Sequence, residues 1–216
     1  SRSDWVDDMR AAISLQPEHL SCYLLTVESG TPLHTDVRCG RIEPVDENKG
    51  AELFEATIEF LSRNGYRQYE VSNFSHSVPD DGLSNRSRHN QKYWTFAPYI
   101  GFGPGAHSYI EPKRFWNHRT LQMYLTDIRA DKRPTAGSEE LTRPQMMMEA
   151  ILLGLRQTDG VDLVAFNDKF GIRFEQYFAE QIEELQAVGK AKLEHDCFSL
   201  TIDGMLLHDS ICAELV

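Results

Sequence analysis

The sequence has no cysteine pair spaced as CxxC or CxxxC; its four cysteines, Cys22, Cys39, Cys197 and Cys212, are scattered. That excludes a local zinc or iron–sulfur motif within this chain, and free thiols fit a reducing compartment. There is no apolar run of the roughly 18 residues that a membrane-spanning helix needs. The opening stretch, SRSDWVDDMRAAISL, is charged and amphipathic, unlike a secretory leader. Basic excess is missing too: residues 1–111 carry ten Lys/Arg against 16 Asp/Glu, residues 112–216 carry 12 against 17, and the chain's net charge is −11. Such a balance argues against nucleic acid as a partner. No internal repeat, low-complexity tract, Walker sequence or GxGxxG is present. These absences predict a cytoplasmic protein with no integral membrane segment and no metal site of its own.

What is there is enough apolar material for a core: 41% hydrophobic and 10% aromatic residues over 216 positions, one medium domain or two small ones. The chain starts without Met, directly on an N-cap signal at Ser1–Asp4, and reads as the middle of a longer protein.

Helical spacing predicts a first helix over 4–15, ended by Pro17. HLSCYLLTV (19–27) reads as a buried parallel strand, a helix follows at 47–64, and YRQYEVSNF (66–74) is the next strand. Strand, helix, strand in this order predicts a right-handed βαβ unit. After a polar loop, YIGFGPGAHSYI (99–110) reads as a strand interrupted by three glycines. The second half is mainly helical: 120–131, a helix opened by a capping box at Thr142–Gln145, 162–170, 174–188 and 203–215. A hairpin at 191–201 turns at His195-Asp196, which gives a winged-helix-like order. The run Met146-Met147-Met148 lies on a helix and reads as packing.

Chemistry concentrates in SRHNQKYWTFAPYIGFGPGAHSYI (87–110), which packs two histidines, an Asn, a Tyr-Trp pair and three glycines into two dozen residues. His89 precedes Asn90 and lies four residues before Tyr93-Trp94; His107 follows Gly-Pro-Gly-Ala. An imidazole titrates near neutrality and serves as acid, base or metal ligand, and bare glycine backbone suits a flat or polar ligand. Glu28 and Glu70 fall near strand ends, where α/β proteins bind ligands, although a solvated strand cap is the plainer reading of each.

The stretches HLSCYLLTVESGTPL, GYRQYEVSNFS, SRHNQKYW and YIGFGPGAHS resemble, in order and spacing, the C-terminal half of the oxygen-independent coproporphyrinogen III oxidase (HemN/HemW) family of radical S-adenosylmethionine (SAM) proteins. LTRPQMMMEAILLGLRQTDGVDL and LTIDGMLLHDSI resemble that family's C-terminal domain, and HN-x-x-YW points to the haem-chaperone branch. The resemblance implies an α/β fold: the C-terminal part of a partial (β/α)6 barrel over 1–111, then a mainly helical, winged-helix-like domain over 112–216. It implies that the cluster motif CxxxCxxC and the glycine-rich SAM motif lie in an N-terminal portion missing here, so this chain has no catalytic residue and is inactive alone. SAM and a [4Fe–4S] cluster then belong to the full-length parent. Cofactor-side positions carried over are Thr26, Gly103, Gly105, Ala106 and His107; His89, Asn90, Tyr93 and Trp94 line the haem or substrate side, with Arg86 or Arg88 as polar anchors. Implied partners are haem or a porphyrinogen, and a haem-acceptor protein in the parent. The rival readings are an oxidase that converts porphyrinogen propionates to vinyls, and a winged-helix interaction module. A barrel cut open also exposes a strand edge, which predicts self-association.

Overall fold

A computed structural model of the chain describes residues 1–76 and 85–215. Residues 77–84, part of the expected polar loop, lie outside the described residues. The chain divides into two compact units, Ser1–Ser87 and Arg88–Val216.

The first unit opens with α1 (Arg2–Ser14), where the Ser1 hydroxyl accepts from the Asp4 amide and the Asp4 carboxylate accepts from the Ser1 amino group at 3.0 Å. This is the capping box that the sequence announces. β1 (His19–Ser21), α2 (Pro32–Arg38) and α3 (Glu47–Arg63) follow, then β2 (Tyr66–Glu70) and β3 (Asn73–His76). Met9 from α1 and Leu61 from α3 form a core with Tyr66 and Phe74, edged by Trp5, Val6, Ile13 and Ile58. Their spacing explains both helices: each lays one apolar stripe on the sheet.

Three expectations fail in this unit. The run 66–74 is a hairpin rather than one strand, and the sheet order is β1-β3-β2 with both pairings antiparallel. β1 and β2 therefore flank β3 instead of forming an adjacent parallel βαβ pair. The cause is Glu70, which is fully buried: its carboxylate accepts from the Ser72 amide at 2.8 Å and from Asn73 Nδ2 at 2.5 Å, closing the turn. The run 19–27 is strand only to Ser21. Its ladder partner starts at Asn73, so beyond Ser21↔Asn73 only one bond continues, Cys22 N–H to Ser72 O. Tyr23, Leu24 and Leu25 are consequently exposed, at 65%, 53% and 79%.

The second unit begins with α4 (Arg88–Trp94), then β4 (His107–Ile110), β5 (Lys113–Asn117), α5 (Leu121–Arg129) and β6 (Thr135–Glu140). β4, β5 and β6 form an antiparallel sheet with His107 opposite Trp116. The β4–β5 hairpin straddles residues 111 and 112, so the expected border there falls inside one folded element, and the compact units meet at 87/88. α6 (Arg143–Leu155) carries the expected Thr142–Gln145 capping box. β7 (Val161–Asp162), α7 (Leu163–Phe170), α8 (Phe174–Tyr177), α9 (Ala179–Ala187), β8 (Ala191–Glu194), β9 (Cys197–Leu200), α10 (Ile202–Met205) and α11 (His208–Glu214) complete the chain.

The β8–β9 hairpin turns at His195 and Asp196, both at positive φ (52° and 58°), as a two-residue primed turn requires. β7 adds to it in the order β7-β9-β8. The helices expected at 174–188 and 203–215 are each broken, at Phe178 and at Leu206-Leu207, because Phe178, Met205 and Ile211 turn into the core there. That core is aromatic: Phe174 lies 5.1 Å edge-on to Phe166 and 5.6 Å from Phe198. A smaller cluster joins Phe96, Tyr109 and Leu141, with Met146 packed against it.

Candidate ligand-binding site

α4 places His89 and Tyr93 one turn apart, and their rings meet edge to face at 5.1 Å. Tyr93 in turn meets Tyr99 at 4.6 Å. Asn90 and Trp94 fall on a neighbouring face and are half-buried, while His89 is exposed. The segment that carries the expected haem-side residues is thus a short helix that leads into an aromatic ladder. Trp94 lies under the Arg156 guanidinium, 4.8 Å from the ring centre, and its carbonyl accepts from Gln157 Nε2. Its indole Nε1–H is buried and has no acceptor.

From Tyr99 the chain leads into the glycine loop, and Tyr99 and Tyr109 exchange backbone hydrogen bonds of 2.8 and 2.9 Å across its base. Residues 101–106 are not strand, which corrects the reading of 99–110 as one continuous element. Gly101 has no room for a side chain: a Cβ there would sit 2.1 Å from the His107 carbonyl oxygen. Gly103 has φ of +99°, open only to glycine at little cost. His107 is exposed and stacks on Trp116 at 5.7 Å, and the Trp116 ring also lies against Gly137.

The structure therefore gathers His89, Tyr93, Trp94, Gly103, Gly105, Ala106 and His107 into the second unit, linked through Tyr99 and Tyr109. Thr26 belongs to the first unit, exposed in the stretch after β1. Arg86 also belongs there and lies 5.4 Å over the Tyr69 ring. Arg88 is exposed at the start of α4. Glu28 is exposed, whereas Glu70 is a turn anchor rather than a solvated cap. A cleft of about 400 Å³ in the first unit is lined by Glu18, Asn64, Tyr66, His76 and Asn85 among others, and none of the expected site residues lines it.

Electrostatics under the ladder come from Arg114, which bonds Glu149 closely and Glu139 at 3.3 Å. Burial pulls its pKa down, and these two carboxylates more than offset that, so the guanidinium is held charged. Burial pushes the Tyr99 hydroxyl up, and Tyr109 up to about 12, so both remain neutral. Sequence reasoning missed Tyr99, Ser108, Asn117 and Tyr124. The usable signal was a polar Asn ending an apolar strand, RFWN, opposite HSYI. Among the described residues no three His, Cys, Asp or Glu side chains gather into a metal site.

The architecture defines a mixed α/β protein with a fold like that of about half of a radical-SAM coproporphyrinogen III oxidase. It superposes on the structure of coproporphyrinogen III oxidase (HemN) from Escherichia coli with a TM-score of 0.75, at 19% identity, over 100% of this chain and 51% of that one. Residues 141–207 match the HemN C-terminal domain family. The chain is 32% identical over 203 residues to the haem chaperone HemW of Bacillus subtilis, covering 94% of this chain and 52% of that protein. It is 34% identical over 179 residues to HemW of Lactococcus lactis, covering 82% and 45%. A bovine mitochondrial protein named for its radical SAM domain is 27% identical over 229 residues, covering 98% and 49%. The chain belongs to the HemN/HemW family of radical SAM proteins. It spans about half the length of the curated relatives it matches.

Proposed function

We propose that this chain is the C-terminal section of a cytoplasmic haem-chaperone-type radical SAM protein, and that its second unit forms one wall of a haem cleft. The reading is supported by the match to curated haem chaperones and carried by one observation: an exposed imidazole, His89, standing beside the Tyr93–Tyr99 ladder. A flat macrocycle needs an aromatic face and an iron ligand at its side, and these residues offer both. Asn90 and Trp94 then frame the helix behind the ligand, and Arg88 is placed to meet a propionate.

In the same reading, Gly103, Gly105, Ala106 and His107 in the second unit, and Thr26 in the first, are the positions that the family resemblance assigns to SAM. The cysteines present suit no cluster: Cys22 and Cys212 are thiols pushed up to about 11 by burial, the opposite of what a thiolate ligand needs. SAM and the [4Fe–4S] cluster accordingly belong to the parent protein, where they supply radical chemistry that this chain alone does not perform. The first unit is read as the end of a partial (β/α)6 barrel and the second, Arg88–Val216, as the unit that carries the winged-helix-like HemN-type domain. The exposed run Tyr23–Leu25, beyond the end of β1, is read as the segment left without a pairing partner. Haem passes from the cleft to an acceptor protein. The oxidase reading draws on a structural likeness at 19% identity, which concerns fold alone.

Titrating the chain with haem and following the Soret band tests this. The native chain should bind, His89→Ala should lose the band's native position and weaken binding at least tenfold, and His107→Ala should leave it unchanged. A His89→Ala variant that binds haem as the native chain does would refute the assignment. Iron, sulfide and reductant should give this chain no cluster absorbance.

A further inference from the structure

α4 is too short to hold itself in place. It has seven residues, under two turns, and none of them is buried. Yet it carries His89, Asn90, Tyr93 and Trp94. It is fixed at its C-terminal end, where all four last carbonyls have partners. Gln91 O accepts from the Thr95 amide at 2.9 Å and from the Thr95 hydroxyl at 3.0 Å. Lys92 O accepts from the Ala97 amide at 3.1 Å, and Tyr93 O from the Phe96 amide at 3.0 Å. The fourth, Trp94 O, accepts from Gln157 Nε2 at 3.3 Å, across 63 positions of sequence.

The residue that stops the helix is an uncommon one for its place. Phe96 takes the left-handed φ of 53° that closes such an end, where glycine usually stands. Its ring keeps it there: it is buried, stacked on Tyr109 at 4.7 Å and covered by the Lys169 ammonium at 4.8 Å. Gln157 is as firmly seated. It lies two residues past the fully buried Leu155 that ends α6, in a turn closed by Gln157 N–H to Gly154 O at 3.0 Å and Gly160 N–H to Gln157 O at 3.1 Å.

We propose that Gln157 is a positioning residue for the haem side: its carboxamide locks the end of α4 and so sets where the His89 imidazole stands. Helical rise puts His89 about 7.5 Å from Trp94 along the axis, so a tilt of about 10° at the held end carries His89 by more than about 1 Å. A binding constellation tolerates about half of that. The proposal rests on the haem reading of α4, and it names a residue outside HN-x-x-YW on which that reading depends.

Haem titration and amide exchange of the chain test it with two variants. Gln157→Leu removes the donor; Gln157→Glu keeps the shape but faces the Trp94 carbonyl with a carboxylate. Both should fold, with far-ultraviolet circular dichroism and Tm close to native. Exchange of the Thr95, Phe96 and Ala97 amides should quicken roughly three- to tenfold, the factor one hydrogen bond carries, while the α1 amides keep their rates. Haem affinity should fall about threefold or more, and the Soret maximum should move toward that of His89→Ala. In a His89→Ala background Gln157→Leu should change neither, because a residue that acts through His89 has nothing left to position. A native Soret position and affinity in both variants, unchanged exchange at 95–97, or a full additional loss in the His89→Ala background would each overturn the proposal. Loss of the fold in both variants would make Gln157 structural and overturn it too. A native chain that takes up no haem, with exchange at 95–97 quickened as stated, would remove the haem reading and leave Gln157 as the residue that holds α4.

Discussion

Replacing Gly101 by Ala inserts one methyl group at the point where the loop crosses its own exit strand. The new Cβ would lie 2.1 Å from the His107 carbonyl oxygen and 3.0 Å from Ala106 Cβ. Ordinary contact for such atoms is about 3.5 Å, so backbone at the start of β4 must move by more than about 1 Å. Overpacking of this kind costs about 1–3 kcal/mol. The displaced Gly101 amide also loses Ser108 Oγ, adding about 1 kcal/mol. The total, about 2–4 kcal/mol, corresponds to a fall in Tm of roughly 5–12 °C for a chain of this size. Gly103→Ala is the control: nothing lies within 4 Å of its Cβ position, and only its φ of +99° opposes the change, at about 1–2 kcal/mol. Urea unfolding followed by near-ultraviolet circular dichroism separates the two. Were Gly101→Ala to cost less than about 0.5 kcal/mol, or less than Gly103→Ala, the close approach at the loop's base would not exist and the loop's geometry would need redrawing.

Thiol chemistry should divide the cysteines: exposed Cys39 reacts with a disulfide reagent at pH 8 at once, while Cys22 and Cys212, held near 11 by burial, react only on unfolding, as a timed colour assay with single Cys→Ser variants will show. Tyr109→Phe removes a buried hydroxyl that has no partner, so stability should stay level or rise by up to about 1 kcal/mol; a loss above that would mean the hydroxyl is satisfied. The exposed run Tyr23–Leu25 should drive self-association, seen by analytical ultracentrifugation as a concentration-dependent rise in mass that Leu25→Lys suppresses. A native chain that sediments as a monomer at every concentration would dispose of that idea.

Features closed by local chemistry were legible in the sequence. Ser1 with Asp4 and Thr142 with Gln145 are capping pairs three residues apart, and His195-Asp196 is a turn pair between two apolar runs. Features that depend on distant partners were not. The turn at Val71-Ser72 has no Gly, Pro or Asn at its centre; it exists because a buried glutamate organises it, and burial of Glu70 cannot be seen in one dimension. The apolar run after Ser21 looks like a core strand because composition reports what a segment prefers, not whether a neighbour is present to pair with it. β6 (TAGSEE) is polar throughout and joins the sheet by register with β5 alone. At the site, the glycines and HN-x-x-YW stood out by type and spacing. Asn117 and Tyr124 did not, since their hydrogen bonds to the glycine loop form only when β5 and α5 bring them under residues 14 and 21 positions earlier.

The stacking of His107 on Trp116 has an optical corollary. With Trp5 and Trp94 replaced by Phe, the remaining indole becomes the chain's sole strong emitter, and one side of it is shielded by that imidazole. Whatever draws the imidazole aside hands that face to water and moves the emission to longer wavelength. The loop's mouth thus carries its own lamp, readable in a cuvette without any added label.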